Sequence, residues 1–166
     1  MGKETKRSSQ KRREVISLKS VIYDLEDIFS WTESYDPFEI AHHLDIEIIY
    51  TTKLPNGYHG LAVPELNTIF IASFLNGSNY SYFVCAHELI HITEHDGINS
   101  FYNANRYSRS KMEYEADNGA IFLLCKYYLH HVASEESINI CTIASYFGLE
   151  EDFYPDIEKC LRFIIN

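Results

Sequence analysis

The amino-acid sequence predicts an α+β fold, in which a small, three-stranded, mostly antiparallel sheet packs against a helical bundle that carries an HExxH helix. Three short segments between residues 46 and 72 are rich in β-branched and aromatic residues and are separated by turn residues. Longer segments on both sides repeat apolar residues at helical spacing. With 166 residues, 46% of them hydrophobic, the chain is long enough for one domain with a sizeable core.

The N-terminal region is expected to combine a basic arm with two helices. Residues 1–14 are predicted to form a disordered arm, because a block of like charges repels itself. The segment Val15–Trp31 repeats apolar residues at helical spacing and predicts an amphipathic helix. Asp36 followed by Pro37 is typical of an N-cap and a first helical residue, and opens a short helix through Leu44.

Three strands are predicted next, at Ile46–Thr51, Tyr58–Val63 and Thr68–Ala72. Turn-forming segments that contain Pro55 and Pro64 separate them. Such short connections favour antiparallel pairing. If the last strand is a sheet edge beside the functional site, a peptide could add to it through backbone hydrogen bonds.

Four amphipathic helices are expected after the sheet, at Ser81–His95, Ser110 to about His130, Glu135–Phe147 and Asp156–Ile164. Ser78 or Asn79 would cap the first of them, and Ser134 would cap the third. Gly148 would end the third helix, and Pro155 would open the fourth. The last two helices are interpreted as scaffold or as a partner-binding surface.

The sequence HELIH at residues 87–91 carries the strongest functional signal. Positions i and i+4 lie one above the other on a helix, so His87 and His91 can point at one metal ion. Glu88 projects from an adjoining part of the helix, where it can accept a proton from the attacking water without being a ligand. Two solvated histidines on a surface helix would not need the apolar setting that surrounds this motif, because buried polar groups need partners. The motif therefore predicts a zinc site.

A third protein ligand is expected on the following helix, because catalytic zinc usually has three protein ligands and one open position. Glu113 and Asp117 lie four residues apart and share a helix face. Glu113 is favoured as the ligand over Glu115, and Asp117 would accept a hydrogen bond from a ligating histidine. Both carboxylates could also favour the helix dipole, with Ser108 or Ser110 as the cap. The two interpretations are compatible.

These motifs, in this order, resemble the ImmA/IrrE family of small bacterial and phage metallopeptidases. The resemblance rests on the HExxH helix, on the E-x-E-A-D sequence at residues 113–117 and on the upstream helix and strands, and it covers residues 36–125. It implies one zinc ion per chain, with His87, His91 and Glu113 as ligands and Glu88 as the general base. The expected metallopeptidase domain spans residues 15–166, and includes C-terminal helices within 134–166.

Four further side chains are weaker candidates for the site. His59, Tyr102 and Tyr107 lie in segments that could border the cleft, where one of them could stabilise an oxyanion, although each could instead be structural or exposed. His95 shares the ligand face, but its spacing differs from that of a third zinc histidine. His95 is therefore expected to contact one of the metal ligands or to lie at the surface. The chain departs from the family pattern at Ile90, where glycine is common, so packing beside the site is expected to differ.

Charge argues against nucleic acid as the partner of the folded body. Residues 1–13 hold six basic side chains and one acidic side chain, a net charge of +5, which leaves −15 on the remainder of a chain whose formal charge is −10. A body this acidic repels phosphate groups. The basic arm could touch DNA or an acidic partner, or be a solvated tail.

The sequence also predicts a cytoplasmic protein without a membrane segment. No apolar stretch is long enough to cross a bilayer, and the N-terminus lacks the apolar core of a signal peptide. Cys85, Cys125, Cys141 and Cys160 show no C-x-x-C spacing and lie among apolar residues, so reduced and buried thiols are expected.

The family resemblance implies a regulatory protein as the substrate. Such peptidases commonly cleave a cognate helix-turn-helix repressor of a phage, a mobile element or a stress regulon, so a DNA-binding repressor is the expected partner. The alternative is a metallopeptidase-like binding module, an antirepressor or toxin-like factor, that acts by direct contact without cleavage. The presence of ligand, base and supporting carboxylate candidates in one chain favours the peptidase.

Overall fold

In a computed structural model of the chain, a three-stranded sheet packs against helices. The structure describes residues 22–30, 32–95, 106–133 and 138–165. The fold class is α+β, as the sequence predicts. In chain order the elements are α1 at residues 22–30, α2 at Pro37–His43, β1 at Glu47–Thr51, β2 at Gly60–Val63, β3 at Thr68–Ala72, α3 at Tyr80–His95, α4 at Arg106–His131, α5 at Ile140–Phe147 and α6 at Tyr154–Ile165. Short 3-10 turns lie at Pro64–Leu66, Ser73–Leu75 and Glu151–Phe153.

The sheet is mixed, which corrects the expectation of mostly antiparallel pairing. Its strand order is β1-β3-β2, in which β2 pairs antiparallel with β3 and β1 pairs parallel with β3. The central strand β3 is buried on both faces, since Ile69 and Ile71 are fully buried and Thr68 and Ala72 nearly so. The last strand is therefore not an edge, and β2 is the edge strand that approaches α3.

The helix ends follow local capping chemistry. Asp36 caps α2, because its side chain accepts hydrogen bonds from the backbone N–H groups of Phe38 and Glu39. Of the two predicted caps for α3, Ser78 hydrogen-bonds to the start of the helix, because its hydroxyl oxygen accepts from the Tyr80 backbone N–H at 3.2 Å. The Asn79 side chain instead donates to a backbone carbonyl 67 residues later in the chain.

Two helices begin more than one helical turn away from their predicted positions. The predicted helix from Glu135 does not extend through residues 138 and 139, because Asn139 and Thr142 form a capping box that starts α5 at Ile140. Ser134 lies outside the described residues. Gly148 ends α5 with a left-handed φ of 68°, as expected. The second motif helix, α4, begins at Arg106, so Ser110 lies inside it and is not its cap.

The core lies where α3 and α4 pack against each other and against the sheet. Its fully buried side chains include Leu89 and Ile90 from α3 and Phe122 and Leu124 from α4. Ile90 is thus accommodated in the core, although glycine is common at this position in the resembled family. Cys85, Cys125 and Cys160 are buried and unpaired, whereas Cys141 is exposed, which corrects the expectation of four buried thiols. Among the described residues, no helix is both long and apolar enough to cross a membrane.

Candidate metal centre

Helix α3 brings two imidazoles to one point. His87 and His91 lie one turn apart on the same face, and their ring centroids are 4.8 Å apart. The Nε2 atoms of the two rings are separated by 3.1 Å. Both side chains are largely buried, with exposed fractions of 15% and 11%. Two imidazole nitrogens this close require either a shared proton or a shared cation.

Helix α4 adds a carboxylate to the pair. One oxygen of Glu113 lies 3.4 Å from His87 Nε2, and the other lies 3.4 Å from His91 Nε2. Among the described residues, these three form the group of His, Cys, Asp and Glu side chains that could hold a metal ion. Glu113 lies in the third turn of α4, beyond the first turn where a carboxylate benefits from the helix dipole. Its position is therefore better explained by the two histidines than by capping.

The separations of the donor atoms fit a zinc ion. Zinc bonds of 2.0–2.2 Å in tetrahedral geometry place neighbouring donors roughly 3.3–3.5 Å apart. The two imidazole Nε2 atoms are 3.1 Å apart, and each lies 3.4 Å from a different oxygen of Glu113; with one ligand atom taken from each residue, all three lie within 4.8 Å of one another. Two imidazole nitrogens and one carboxylate form a common ligand set of catalytic zinc. The chemistry and the spacing of these residues therefore both suit a zinc ion with one open position.

Asp117 orients the first histidine from behind. Its Oδ1 atom accepts a hydrogen bond from His87 Nδ1 at 2.9 Å. This bond places the proton on Nδ1 and leaves Nε2 facing Glu113 and His91. A carboxylate in this position also makes the imidazole more basic and fixes the plane of the ring. Asp117 thus lies where the sequence analysis expected it.

Glu88 lies beside the cluster but is held by the sheet. Its Oε2 atom accepts a hydrogen bond from the backbone N–H of Ala62 in β2 at 2.8 Å. Burial raises the pKa of the Glu88 carboxyl group, while the positive charges of His87 and His91 and the Ala62 N–H oppose that rise. A partly desolvated carboxylate with a raised pKa is suited to accepting a proton at neutral pH.

Gly60 is part of this arrangement, and the sequence analysis assigned it no role at the site. A Cβ atom at Gly60 would lie 2.7 Å from Glu88 Cγ, 2.8 Å from Glu88 Oε1 and 2.6 Å from Val84 Cγ1. Carbon atoms do not approach this closely without displacement, so only glycine allows the Glu88 side chain to lie against the strand. A glycine inside a strand is a signal for close approach of this kind, although the sequence alone does not identify the partner.

The protonation of the cluster depends on the same contacts. Burial lowers the pKa of His87, but hydrogen bonds with Asp117 and Glu113 and the nearby charge of Glu88 outweigh it and raise the pKa to about 10. Burial raises the pKa of Glu113, but hydrogen bonds with His87 and His91 outweigh it, so the net shift is downward. The cluster without metal therefore holds a protonated imidazole against ionised carboxylates, and a bound cation would replace that proton.

The alternative third ligand lies elsewhere. Glu115 is buried, and its carboxylate forms an ion pair with Lys111 at 3.1 Å. It does not join the cluster formed by His87, His91 and Glu113. The structure therefore places Glu113, and not Glu115, at the candidate metal position.

The weaker site candidates are only partly described. His59 is exposed, lines the same cleft as the cluster, and contacts the rings of Phe74 and Tyr80. Tyr102 and the side chains of His95 and Tyr107 lie outside the described residues. A contribution of any of these four to oxyanion or ligand support stays a prediction.

The cluster opens into a cleft of about 480 Å³ between β2, α3 and α4. Its lining includes His87, Glu88 and Glu113 from the two motif helices and Gly60 and Ala62 from the edge strand β2. Phe153, from the turn before α6, also lines it. The C-terminal segment, which the sequence analysis interpreted as scaffold or partner surface, thus contributes a side chain to the cleft.

Comparison with known families identifies a similarity over most of this structure. The family model Peptidase_M78, described as the IrrE N-terminal-like domain, matches residues 41–153. The match includes β1 to β3, both motif helices and Phe153. Comparisons with curated proteins and with solved structures find no significant match.

Proposed function

The chain belongs to the Peptidase_M78 family of IrrE N-terminal-like domains, and we propose that it is a zinc-dependent endopeptidase that cleaves a specific regulatory protein. Family membership establishes a metallopeptidase-like module. The observation that carries the proposal further is the donor set of His87, His91 and Glu113, whose ligand atoms all lie within 4.8 Å of one another. Glu88 lies beside this set without belonging to it.

The proposed chemistry assigns one role to each side chain. His87, His91 and Glu113 would hold zinc, which when bound polarises a carbonyl group and lowers the pKa of water to about 7. Glu88 would take a proton from the attacking water and later return it to the leaving amine. Asp117 would keep His87 Nε2 directed at the metal position, through the 2.9 Å hydrogen bond to Nδ1.

The hydrogen-bond pattern of the sheet supports the proposal that substrate binds along β2. The Ala72 backbone N–H donates to His59 O at 2.8 Å, which makes these two residues a hydrogen-bonded pair. In an antiparallel ladder the pairing alternates, so the backbone groups of Gly60 and Ala62 face away from β3. Since Glu88 accepts from the Ala62 N–H, these groups face the cleft. Because the Ala62 N–H already donates to Glu88, we propose that an extended substrate segment pairs with the other outward-facing groups, the N–H and C=O of Gly60 and the C=O of Ala62, which would hold its scissile bond beside Glu88.

A helix-turn-helix repressor is the proposed substrate class, on the family resemblance of the motifs. An enzyme with one regulatory target needs little activity on general protein substrates, so a casein assay does not test the proposal. The acidic body of the chain also suits a protein substrate better than direct binding to DNA.

A co-expression experiment tests this function in cells. The wild-type chain and Glu88→Gln would each be produced with the repressor encoded nearest to this gene, and the repressor would be followed by intact mass. We expect a discrete cut with the wild-type chain and an uncut repressor with Glu88→Gln, which keeps the side-chain volume but cannot accept the proton. Loss of repression with an unchanged repressor mass would instead support a binding module and contradict the peptidase proposal.

A further inference from the structure

A row of aromatic rings lines the cleft next to the candidate metal ligands. Neighbouring ring centroids are 5.0 Å apart for Phe153 and Phe83, 5.6 Å for Phe83 and Tyr80, and 5.7 Å for Tyr80 and His59. All four residues line the cleft. We call these four residues the aromatic wall.

The aromatic wall begins at a metal-ligand candidate. Tyr80, Phe83 and His87 succeed one another at spacings of three and four residues, so they lie on one face of α3. The ring centroids of Phe83 and His87 are 6.0 Å apart. At 1.5 Å per residue, Phe83 lies about 6 Å and Tyr80 about 10 Å along the helix from His87. An extended peptide advances about 3.3 Å per residue, so the wall spans positions within about three residues of a bond held at the metal.

The outer end of the wall carries apolar surface that is left in water. Tyr58, which lines the cleft, is 47% exposed, and Phe74, which packs edge-on against His59 with centroids 5.6 Å apart, is 72% exposed. Exposed aromatic side chains grouped at the mouth of a cleft are typical of a surface that a ligand covers.

The charges in the cleft restrict the kind of side chain that the wall can take. Glu88, Glu113 and Asp117 line its inner end, and the described lining residues include no lysine or arginine. A carboxylate on the substrate would meet these like charges and, among the described lining residues, would find no lysine or arginine to pair with, whereas an apolar side chain would be buried against the rings.

We propose that the aromatic wall is a specificity subsite that binds a large apolar side chain of the substrate, within about three residues of the scissile bond. This inference rests on the proposed peptidase function. Phe153 is the residue that defines the subsite, because it reaches the cleft from the turn before α6 and its ring lies 5.0 Å from that of Phe83.

Hydroxamate probes test the subsite without requiring cleavage. Each probe binds zinc through its two oxygen atoms, and the probes differ only in one side chain, which is hydrogen, benzyl or carboxymethyl. Their dissociation constants would be measured by calorimetry on the full zinc-loaded chain. We expect the benzyl probe to bind at least about 10-fold more tightly than the hydrogen probe, and the carboxymethyl probe to bind no better than the hydrogen probe.

Variants test whether the preference for the benzyl probe depends on the aromatic wall. Phe153→Ala should weaken binding of the benzyl probe more than binding of the hydrogen probe, and so remove most of the benzyl advantage. Phe163→Ala, at a 49% exposed phenylalanine of α6, is the matched control and should retain the advantage. Phe153→Leu preserves apolar packing if the alanine variant does not fold, and should lose part of the advantage.

The possible outcomes distinguish failure of the subsite proposal from failure of the proposed peptidase function. The subsite proposal is overturned if the benzyl probe binds no better than the hydrogen probe, or if the Phe153 and Phe163 variants lose the benzyl advantage equally. Neither result contradicts the proposed metal centre. If no hydroxamate binds to the zinc-loaded chain, the proposed function is overturned, and the subsite is overturned with it.

Discussion

The Glu88 carboxylate accepts a hydrogen bond from the Ala62 backbone N–H at 2.8 Å, which ties the candidate base on α3 to the edge strand of the sheet. One interaction therefore sets the position of the base relative to the strand that would bind substrate. The contact is possible because residue 60, two positions earlier in the strand, has no side chain.

Gly60→Ala should disturb Glu88 and reduce stability. The added Cβ would meet two atoms of Glu88 at 2.7 and 2.8 Å and one of Val84 at 2.6 Å, and overpacking of this kind costs about 1–3 kcal/mol. Thermal unfolding of the chelator-treated protein would measure the loss. Relative to the wild-type protein, the rate of repressor cleavage by the zinc-loaded Gly60→Ala variant should fall by a larger factor than the zinc content of that variant.

A double-mutant cycle identifies the cause of that loss. Glu88→Ala in the Gly60→Ala background should recover stability, with a coupling of roughly 0.5–3 kcal/mol between the two positions. Val84→Ala in the same background relieves the other contact and serves as the comparison. Strictly additive effects of the Gly60 and Glu88 changes would show that the two residues do not constrain each other.

Glu113→Gln should abolish tight zinc binding, whereas Glu115→Gln should not. Glu113 faces both histidines at 3.4 Å, while Glu115 pairs with Lys111 at 3.1 Å. Zinc affinity would be measured by competition with a chromophoric chelator. The Glu115 variant is expected to lose stability instead, because it breaks an ion pair of a buried carboxylate. Loss of zinc from the Glu115 variant alone would reverse the ligand assignment.

Asp117→Asn should weaken zinc binding by about 10- to 100-fold, the range found when a carboxylate behind a metal-binding histidine is changed. The asparagine keeps the shape of the side chain but provides a weaker hydrogen-bond acceptor for His87 Nδ1. The same competition assay applies. Unchanged affinity would show that the 2.9 Å contact does not orient the ligand.

The stability of the metal-free protein should fall as the pH rises above neutrality. Burial lowers the pKa of His87, but its partners Asp117 and Glu113 raise it from 6.5 to about 10. A folded pKa above the unfolded one means that the protonated imidazole stabilises the fold fully below about pH 6.5, and that this contribution is lost as the pH approaches 10. The Tm of chelator-treated protein should therefore decrease across this range.

Two comparisons check that His87 causes this slope. His87→Gln should flatten it, while His42→Gln, at an exposed histidine of α2, should leave it unchanged. Zinc affinity should change in the opposite direction, because zinc displaces the proton and binds more tightly as the pH rises. An identical slope in the His87→Gln variant would rule out His87 as its source.

The sequence predicts the parts of this site that depend on local spacing. His87, Glu88 and His91 follow from one helical turn, and Asp117 follows from Glu113 by another, so the two motif helices carry most of the proposed chemistry. Glu113 lies beside the two histidines, on the helix where the sequence analysis placed a third ligand.

The remaining features depend on long-range packing that the spacing does not encode. Ala62 and Glu88 are 26 residues apart, and their contact arises because the edge strand β2 lies against α3. The short connections suggested successive antiparallel strands, but the apolar strand β3 is buried on both faces and takes the central position. Phe153 enters the cleft from a turn near the C-terminus, and no sequence pattern connects it to the metal helix.

The most direct test of the account is cleavage of the purified candidate repressor by zinc-loaded wild-type protein and by Glu88→Gln protein matched for zinc content, followed by intact mass spectrometry. We expect one discrete cut by the wild-type protein, no cut by Glu88→Gln, and no cut by the wild-type protein in excess chelator. Cleavage at the wild-type rate by Glu88→Gln, or cleavage that persists after the zinc is removed, would contradict it.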